Sequence, residues 1–193
     1  KFYYSVCLAA ALAYLMIHQQ DPVGLVTFDQ KIRKILQPKS KRTQLGTLLS
    51  ILAKLEPTGE TNIAASIEQL AAMLRHQSLI MLMTDLLCDP EPVFRALHRL
   101  RHAGHDVILF HVLDEAEVRF PFDGMVDLHD PETDQRVQVD ATAYRRDYIN
   151  ELEDFRKIYR KECSNARIDY VEIDTSMQFD KALTEYLMTR RYR

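Results

Sequence analysis

The chain has 193 residues, of which 27% are charged and 47% hydrophobic, and its formal net charge is -3 at pH 7. That length suits one domain with a substantial core, and the acidic balance argues against nucleic-acid binders, which carry clustered Lys and Arg. The three cysteines, Cys7, Cys88 and Cys163, share no metal or redox spacing, which fits a reducing, cytoplasmic setting.

Residues 2–19 are rich in helix formers and apolar nearly all round, which predicts a helix packed against a sheet. The apolar stretch 6–17 is too short to span a membrane, which needs about 20 such residues. It also lacks the basic start and cleavage site of a signal peptide. Asp21-Pro22 ends the helix, because the residue before proline disfavours helical backbone. Residues 23–28 then read as a buried strand. Asp29-Gln30 is a tight connection, and the basic–apolar alternation of residues 31–36 suits an antiparallel edge strand. Thr43 is placed to cap a helix running to about residue 55, with Leu45, Leu48, Leu49 and Leu52 on one stripe.

The turn Pro57-Thr58-Gly59-Glu60-Thr61 opens a helix over 62–75. The near-continuous apolar run 79–83 predicts a strand in the middle of a parallel sheet, covered on both faces. Asp89-Pro90-Glu91-Pro92 opens the next helix, which ends at Gly104, and residues 106–112 form another buried strand. The segment from 114 to 140 breaks the rhythm. Residues 125–129 and 136–139 look like a hairpin joined by Asp130-Pro131-Glu132-Thr133-Asp134, an insertion spanning about 118–140 outside the main sheet. A long charged helix over 143–163, a strand over 168–173 and a helix over 179–188 complete the chain. Strands alternating with helices predict an α/β doubly wound, Rossmann-like sheet with right-handed crossovers. Strands 23–28, 79–83, 107–112 and 168–173 are expected to run parallel in it.

The chain has only five glycines, and neither G-x-G-x-x-G nor G-x-x-x-x-G-K-[ST] occurs, which argues against dinucleotide and P-loop chemistry. No G-x-S-x-G elbow is present either. The ends of parallel strands are where open α/β sheets bind ligands, which draws attention to Thr61 and to Asp85. Both offer the hard oxygen that Mg²⁺ prefers, although a helix cap is the plainer role for Thr61 and a turn for Asp85. Asp114, Glu115 and Glu117 form an acidic cluster after the strand 106–112. It reads first as solvated loop, with a carboxylate metal site shared with Asp85 as the alternative. His111 reads as a packed, hydrogen-bonded histidine. His102 and His105 flank Gly104, where positive charge favours a helix C-terminus. The charges between residues 144 and 161 read as a solvated helix face, and Tyr144, Tyr148 and Tyr159 are candidates for a partner groove.

This order resembles a von Willebrand factor A domain. More closely, it resembles the bacterial family of that type known as domain of unknown function 58. The resemblance rests on Lys1-Phe2-Tyr3-Tyr4 before an Ala-rich helix, Asp21-Pro22-Val23-Gly24-Leu25-Val26-Thr27-Phe28, Gly59-x-Thr61 and Thr84-Asp85-Leu86. It continues through the run from Gly104 to Asp114, then Asp130-Pro131-Glu132-Thr133 and Tyr186-Leu187-Met188-x-x-Arg191. It implies a metal-ion-dependent adhesion site in which Thr61 and Asp85 match the second and third elements. The first, Asp-x-Ser-x-Ser, is absent from the 193 residues. With it would go the central strand between 23–28 and 79–83, so 1–193 reads as an N-terminally truncated domain. A gap there, or closure by a strand from elsewhere, is then expected, together with poor stability.

The resemblance also implies a non-enzymatic adaptor working with a MoxR-type AAA+ ATPase and a client protein of unknown identity. Its loop face would carry Thr61, Asp85 and Asp114. Mg²⁺ is expected only with the missing ligands in place, and not for this chain alone. The competing expectation is a metal-dependent hydrolase using Asp85 and the Asp114 cluster.

Overall fold

The computed structural model describes residues 1–57, 61–129 and 135–178. The predicted helix over 179–188, the loop 130–134 and residues 58–60 of the turn lie outside the described residues. The chain divides into two compact units, Lys1–Leu79 with Leu86–Asp106, and Ile80–Asp85 with Val107–Arg193.

In the first unit, α1 (Phe2–His18) packs on α2 (Arg42–Leu52) and on β1 (Val23–Phe28). Ala13, Leu48 and Leu52 form the buried centre, with Val6, Ala9, Val23, Leu25 and Leu36 packed around them. β1 pairs antiparallel with β2 (Ile32–Lys39), as the short Asp29-Gln30 connection requires. The register slips between Val23 and Leu25. A Cβ on the intervening Gly24 would meet the Leu36 carbonyl at 2.7 Å, so the bulge needs a glycine. The α2 stripe differs from expectation. Leu49 is exposed, while Gln44 is buried and donates to the Val23 and Gln37 carbonyls at 3.1 and 2.8 Å. Nor is Thr43 the cap: α2 starts at Arg42, and its N-cap Lys41 makes no side-chain capping bond.

α3 (Ile63–Met73) packs against α4 (Pro90–His102). Asp89 caps α4 by accepting from the Glu91 N–H, and Pro90 occupies the first turn, where its missing donor costs nothing. The chain leaves α4 through Gly104 at φ 84°, a left-handed position that suits glycine. His105 does not sit at a solvated helix end as expected: it is buried, and its Nδ1 accepts from the Ser78 N–H at 3.2 Å.

The second unit is built on β4 (Asp106–Leu113), buried from Val107 onward. β4 lies between β3 (Leu79–Thr84) and β7 (Asp169–Asp174) in one three-stranded sheet. β7 runs parallel to β4, with Ile108 opposite Asp169 and Leu113 opposite Asp174. β3 runs the same way. The Asp106 N–H donates to the Ser78 carbonyl near one end, and His111 reaches the Asp85 carbonyl near the other. The architecture is therefore mixed α/β with a parallel sheet.

One expectation about this sheet is overturned: among the described residues the central strand is β4, and β3 ends the hydrogen-bonded order, with Leu82 its one buried residue. β1 pairs only with β2 among the described residues, which is what the expected gap between 23–28 and 79–83 entails. An apolar run announces burial without saying which edge is paired.

After β4 comes a short helix absent from the expected elements, α5 (Glu115–Arg119). The hairpin is present as β5 (Met125–His129) and β6 (Arg136–Asp140), paired antiparallel with Leu128 opposite Val137. Asp140 then caps α6 (Ala141–Ala166), which packs against β7, α5 and the hairpin. Cys163 on α6 is buried, and that burial pushes its thiol up to about 12. Among the described residues no helix is long and apolar enough to cross a membrane.

Candidate functional site

The parallel strands of the second unit end together, and the residues just beyond them are Asp85 after β3, Asp114 after β4 and Thr175 after β7. Such strand ends are the ligand-binding edge of open α/β sheets. Thr61 belongs to the first unit. It is exposed and precedes α3, but the cap is its neighbour: Asn62 accepts from the Ala65 N–H at 3.0 Å. The capping role expected of Thr61 therefore passes to Asn62.

The acidic cluster is not solvated loop. Asp114 and Glu117 form a capping box on α5, in which Asp114 Oδ1 accepts from the Ala116 N–H at 3.0 Å and Glu117 Oε2 accepts from the Asp114 N–H at 2.8 Å. Thr175 ties this helix start to β7. Its hydroxyl donates to Asp114 Oδ2 at 3.2 Å and accepts from the Glu115 N–H at 3.2 Å. Glu115 pairs with Arg119 at 2.7 Å. These carboxylates accept from donors of the protein itself. Among the described residues no three His, Cys, Asp or Glu side chains are placed to hold a metal. Asp114→Ala should cost about 1 kcal/mol by loss of the cap. Urea titration is the check, and an unchanged midpoint would show that the capping box contributes nothing.

Behind Asp85 lies a polar group inside an otherwise apolar strand. His111 is 1% exposed. Its Nε2 sits 3.1 Å from the Asp85 carbonyl and its Nδ1 is 2.5 Å from the Tyr170 hydroxyl. A carbonyl only accepts, so Nε2 carries the proton and Nδ1 accepts from Tyr170. Burial holds the Tyr170 hydroxyl well above its usual range, so it keeps the proton it donates. Burial likewise lowers His111 to about 4, reinforced by the Arg156 charge and opposed by the Asp85 carbonyl. Phe155, Tyr159 and Tyr170 pack round the ring at centroid distances of 6.0, 6.3 and 5.8 Å.

A charge network flanks these rings. Arg160 forks onto Glu172 at 2.5 and 3.0 Å and reaches Glu153 at 2.7 Å. Arg156 Nε stands 3.6 Å from Glu172. The three candidate tyrosines are therefore not one groove. Tyr159 is fully buried, Tyr148 packs on Phe120 at 4.6 Å, and Tyr144 alone is exposed. Thr175, Arg156 and Glu172 were missed from sequence. Only the Asp174-Thr175-Ser176 run after an apolar strand could have flagged the first.

The family model described as protein of unknown function DUF58 matches residues 1–158. The chain belongs to this family. A search of curated proteins finds no match. Among solved structures, this DUF58 chain is similar to an aerotolerance-related membrane protein from Bacteroides fragilis, crystallised with multiple mutations to serines. Identity is 17% and the TM-score 0.60, covering 95% of this chain and 86% of that one. It is also similar to the conserved hypothetical protein BatB from Bacteroides thetaiotaomicron, at 16% identity and a TM-score of 0.56, covering 96% of this chain and 88% of that one. At such identities the likeness speaks for the fold alone.

Proposed function

We propose that this DUF58 chain is a von Willebrand factor A-like, non-enzymatic adaptor that binds protein through the strand-end surface carrying Asp85 and Asp114. The observation that supports it is the arrangement of the second unit, in which adjacent parallel strands end in Asp85 and Asp114 over a rigid, buried support. The partner is proposed to be a MoxR-type AAA+ ATPase in the cytoplasm, on the resemblance of the chain to proteins of that setting. The client protein carries no chemical signature here.

Mg²⁺ is the metal such a surface would take, because Asp85 offers a hard oxygen. Asp114 already accepts from Ala116 and Thr175, so Asp85 is too little to hold the ion unaided. Residues 1–193 are therefore expected to bind Mg²⁺ weakly or not at all. Tight binding by calorimetry, lost in Asp85→Ala, would contradict this. No hydrolytic turnover is expected, since Asp114 and Glu117 are engaged in capping α5 and so are poorly placed to serve as a base or a metal ligand.

The deciding experiment measures binding of the purified full-length protein to a MoxR-type ATPase from the same host by surface plasmon resonance. Asp85→Ala should weaken the complex at least tenfold. Unchanged affinity in both Asp85→Ala and Asp114→Ala would remove the strand-end surface from the interface. A phosphoester or peptide turnover abolished by Asp85→Asn would replace the adaptor reading with a hydrolase.

A further inference from the structure

We infer that His111 is the positioning residue of this surface: by donating from Nε2 to the Asp85 carbonyl it fixes the Asp85–Leu86 peptide just beyond β3 and so sets the backbone that carries Asp85 into the turn after it. Assigning Asp85 a part in binding rests on the function proposed above; the fixing of the turn stands apart from it.

Three observations converge. The first is the residue type. The strand Asp106–Leu113 is apolar after its first residue except at His111. An imidazole there costs desolvation that a leucine would avoid, so its retention calls for a bond worth having. The second is the geometry. The ring bridges all three strands, from the Asp85 carbonyl beyond β3, through β4, to Tyr170 on β7. Tyr170 selects the tautomer, because a hydroxyl donating to Nδ1 leaves the proton on Nε2, where the carbonyl needs it.

The third is the backbone immediately after Asp85. Leu86 has φ 57°, a left-handed backbone that a branched residue rarely adopts. The turn tightens further where the Cys88 N–H donates to the Leu86 carbonyl at 2.7 Å. Leu86 is buried, whereas Leu87 is 70% exposed. A conformation of this kind persists only where its surroundings over-determine it. The hydrogen bond from His111 clamps the peptide that leads into it.

The test compares His111→Leu, which removes both ring nitrogens, with His111→Gln, whose amide nitrogen can occupy the Nε2 position and donate to the same carbonyl. Amide hydrogen exchange is read at residues 86–88 and, as a reference, at Ile108 and Leu109. His111→Leu should speed exchange at 86–88 about fivefold or more relative to the reference, the worth of one net hydrogen bond. His111→Gln should restore slow exchange. NMR of the ring nitrogens in the wild-type chain should show the proton on Nε2.

Should His111→Leu fail to fold, Tyr170→Phe serves instead. It keeps the ring and removes the tautomer-selecting hydroxyl, so the Nδ1–H form should rise and exchange at 86–88 should quicken. The inference is overturned by a proton on Nδ1 in the wild type, by equal behaviour of the Leu and Gln variants, or by a Tyr170→Phe chain with unchanged tautomer and exchange. If Asp85→Ala and Asp114→Ala both leave ATPase binding intact while His111→Leu still loosens residues 86–88, the strand-end surface leaves the interface and the positioning role of His111 stands.

Discussion

Lowering the pH from 7 to 4 will cost the folded chain about 3 kcal/mol through His111 alone, the depression from 6.5 to about 4 converted at 1.36 kcal/mol per unit. The sign is set by which state takes up the proton. Above pH 6.5 the ring is neutral whether the chain is folded or not, and the stability is complete. As the pH falls below 6.5 the unfolded chain binds a proton that the folded chain refuses, because charging the ring would desolvate it beside the Arg156 charge. The loss grows until about pH 4, where the folded ring titrates too, and then stops.

Carboxylates act lower on the scale. Arg33 holds Asp29 below its ordinary 3.8, and Arg160 holds Glu153 below its ordinary 4.5, so their contributions vanish only as acid overtakes those values. Guanidinium titrations at intervals between pH 7 and 4 separate the two windows. His111→Gln, which has nothing to titrate, should be flat where the wild type declines. Parallel curves for the two chains would place the acid sensitivity elsewhere.

Tyr159→Ala is expected to destabilise the chain by about 3–5 kcal/mol, the range for emptying an aromatic site in a packed interior. Tyr159 is 0% exposed. It stacks on Tyr170 at 6.1 Å with an 18° interplanar angle and packs on Phe155 at 5.0 Å. Its removal opens a void among the rings that hold His111 in place. Tyr144, 44% exposed one turn into the same helix, should tolerate alanine to within about 0.5 kcal/mol. Urea midpoints of the two variants decide it. Similar shifts would mean that the α6 tyrosines share one environment, as the partner-groove reading supposed.

The legible and illegible parts of the fold divide along the range of the forces involved. Local signals carried. Asp89-Pro90 starts α4 and Gly104 ends it because capping and left-handed backbone are decided within a few residues. The hairpin strands arise from alternation alone. Pairing did not carry. The run 79–83 announces burial, yet its place at the end of the sheet order depends on partners far away in sequence. Gln44 looks like a solvent position on a helix, and nothing nearby reveals that it satisfies carbonyls at Val23 and Gln37.

In the site, one signal was present and misread. Asp114 and Glu117 have the spacing of a capping box, but their charge suggested an acidic patch. His111 was legible as a packed histidine because a polar residue in an apolar strand must find partners. Which partners it finds, Asp85 and Tyr170, is a matter of register between strands, and no single stretch of sequence encodes that.

Cys163 gives the chain a built-in clock. Thiol reagents attack the thiolate, and a thiol pushed up to about 12 and sealed inside α6 offers almost none. Cys7 and Cys88 are only partly covered and will be consumed first. The slow final equivalent of reagent therefore times how often the interior beneath α6 opens to solvent. No engineered probe is needed, and the same measurement in the His111 and Tyr159 variants reads the kinetics of that breathing directly from the native cysteine.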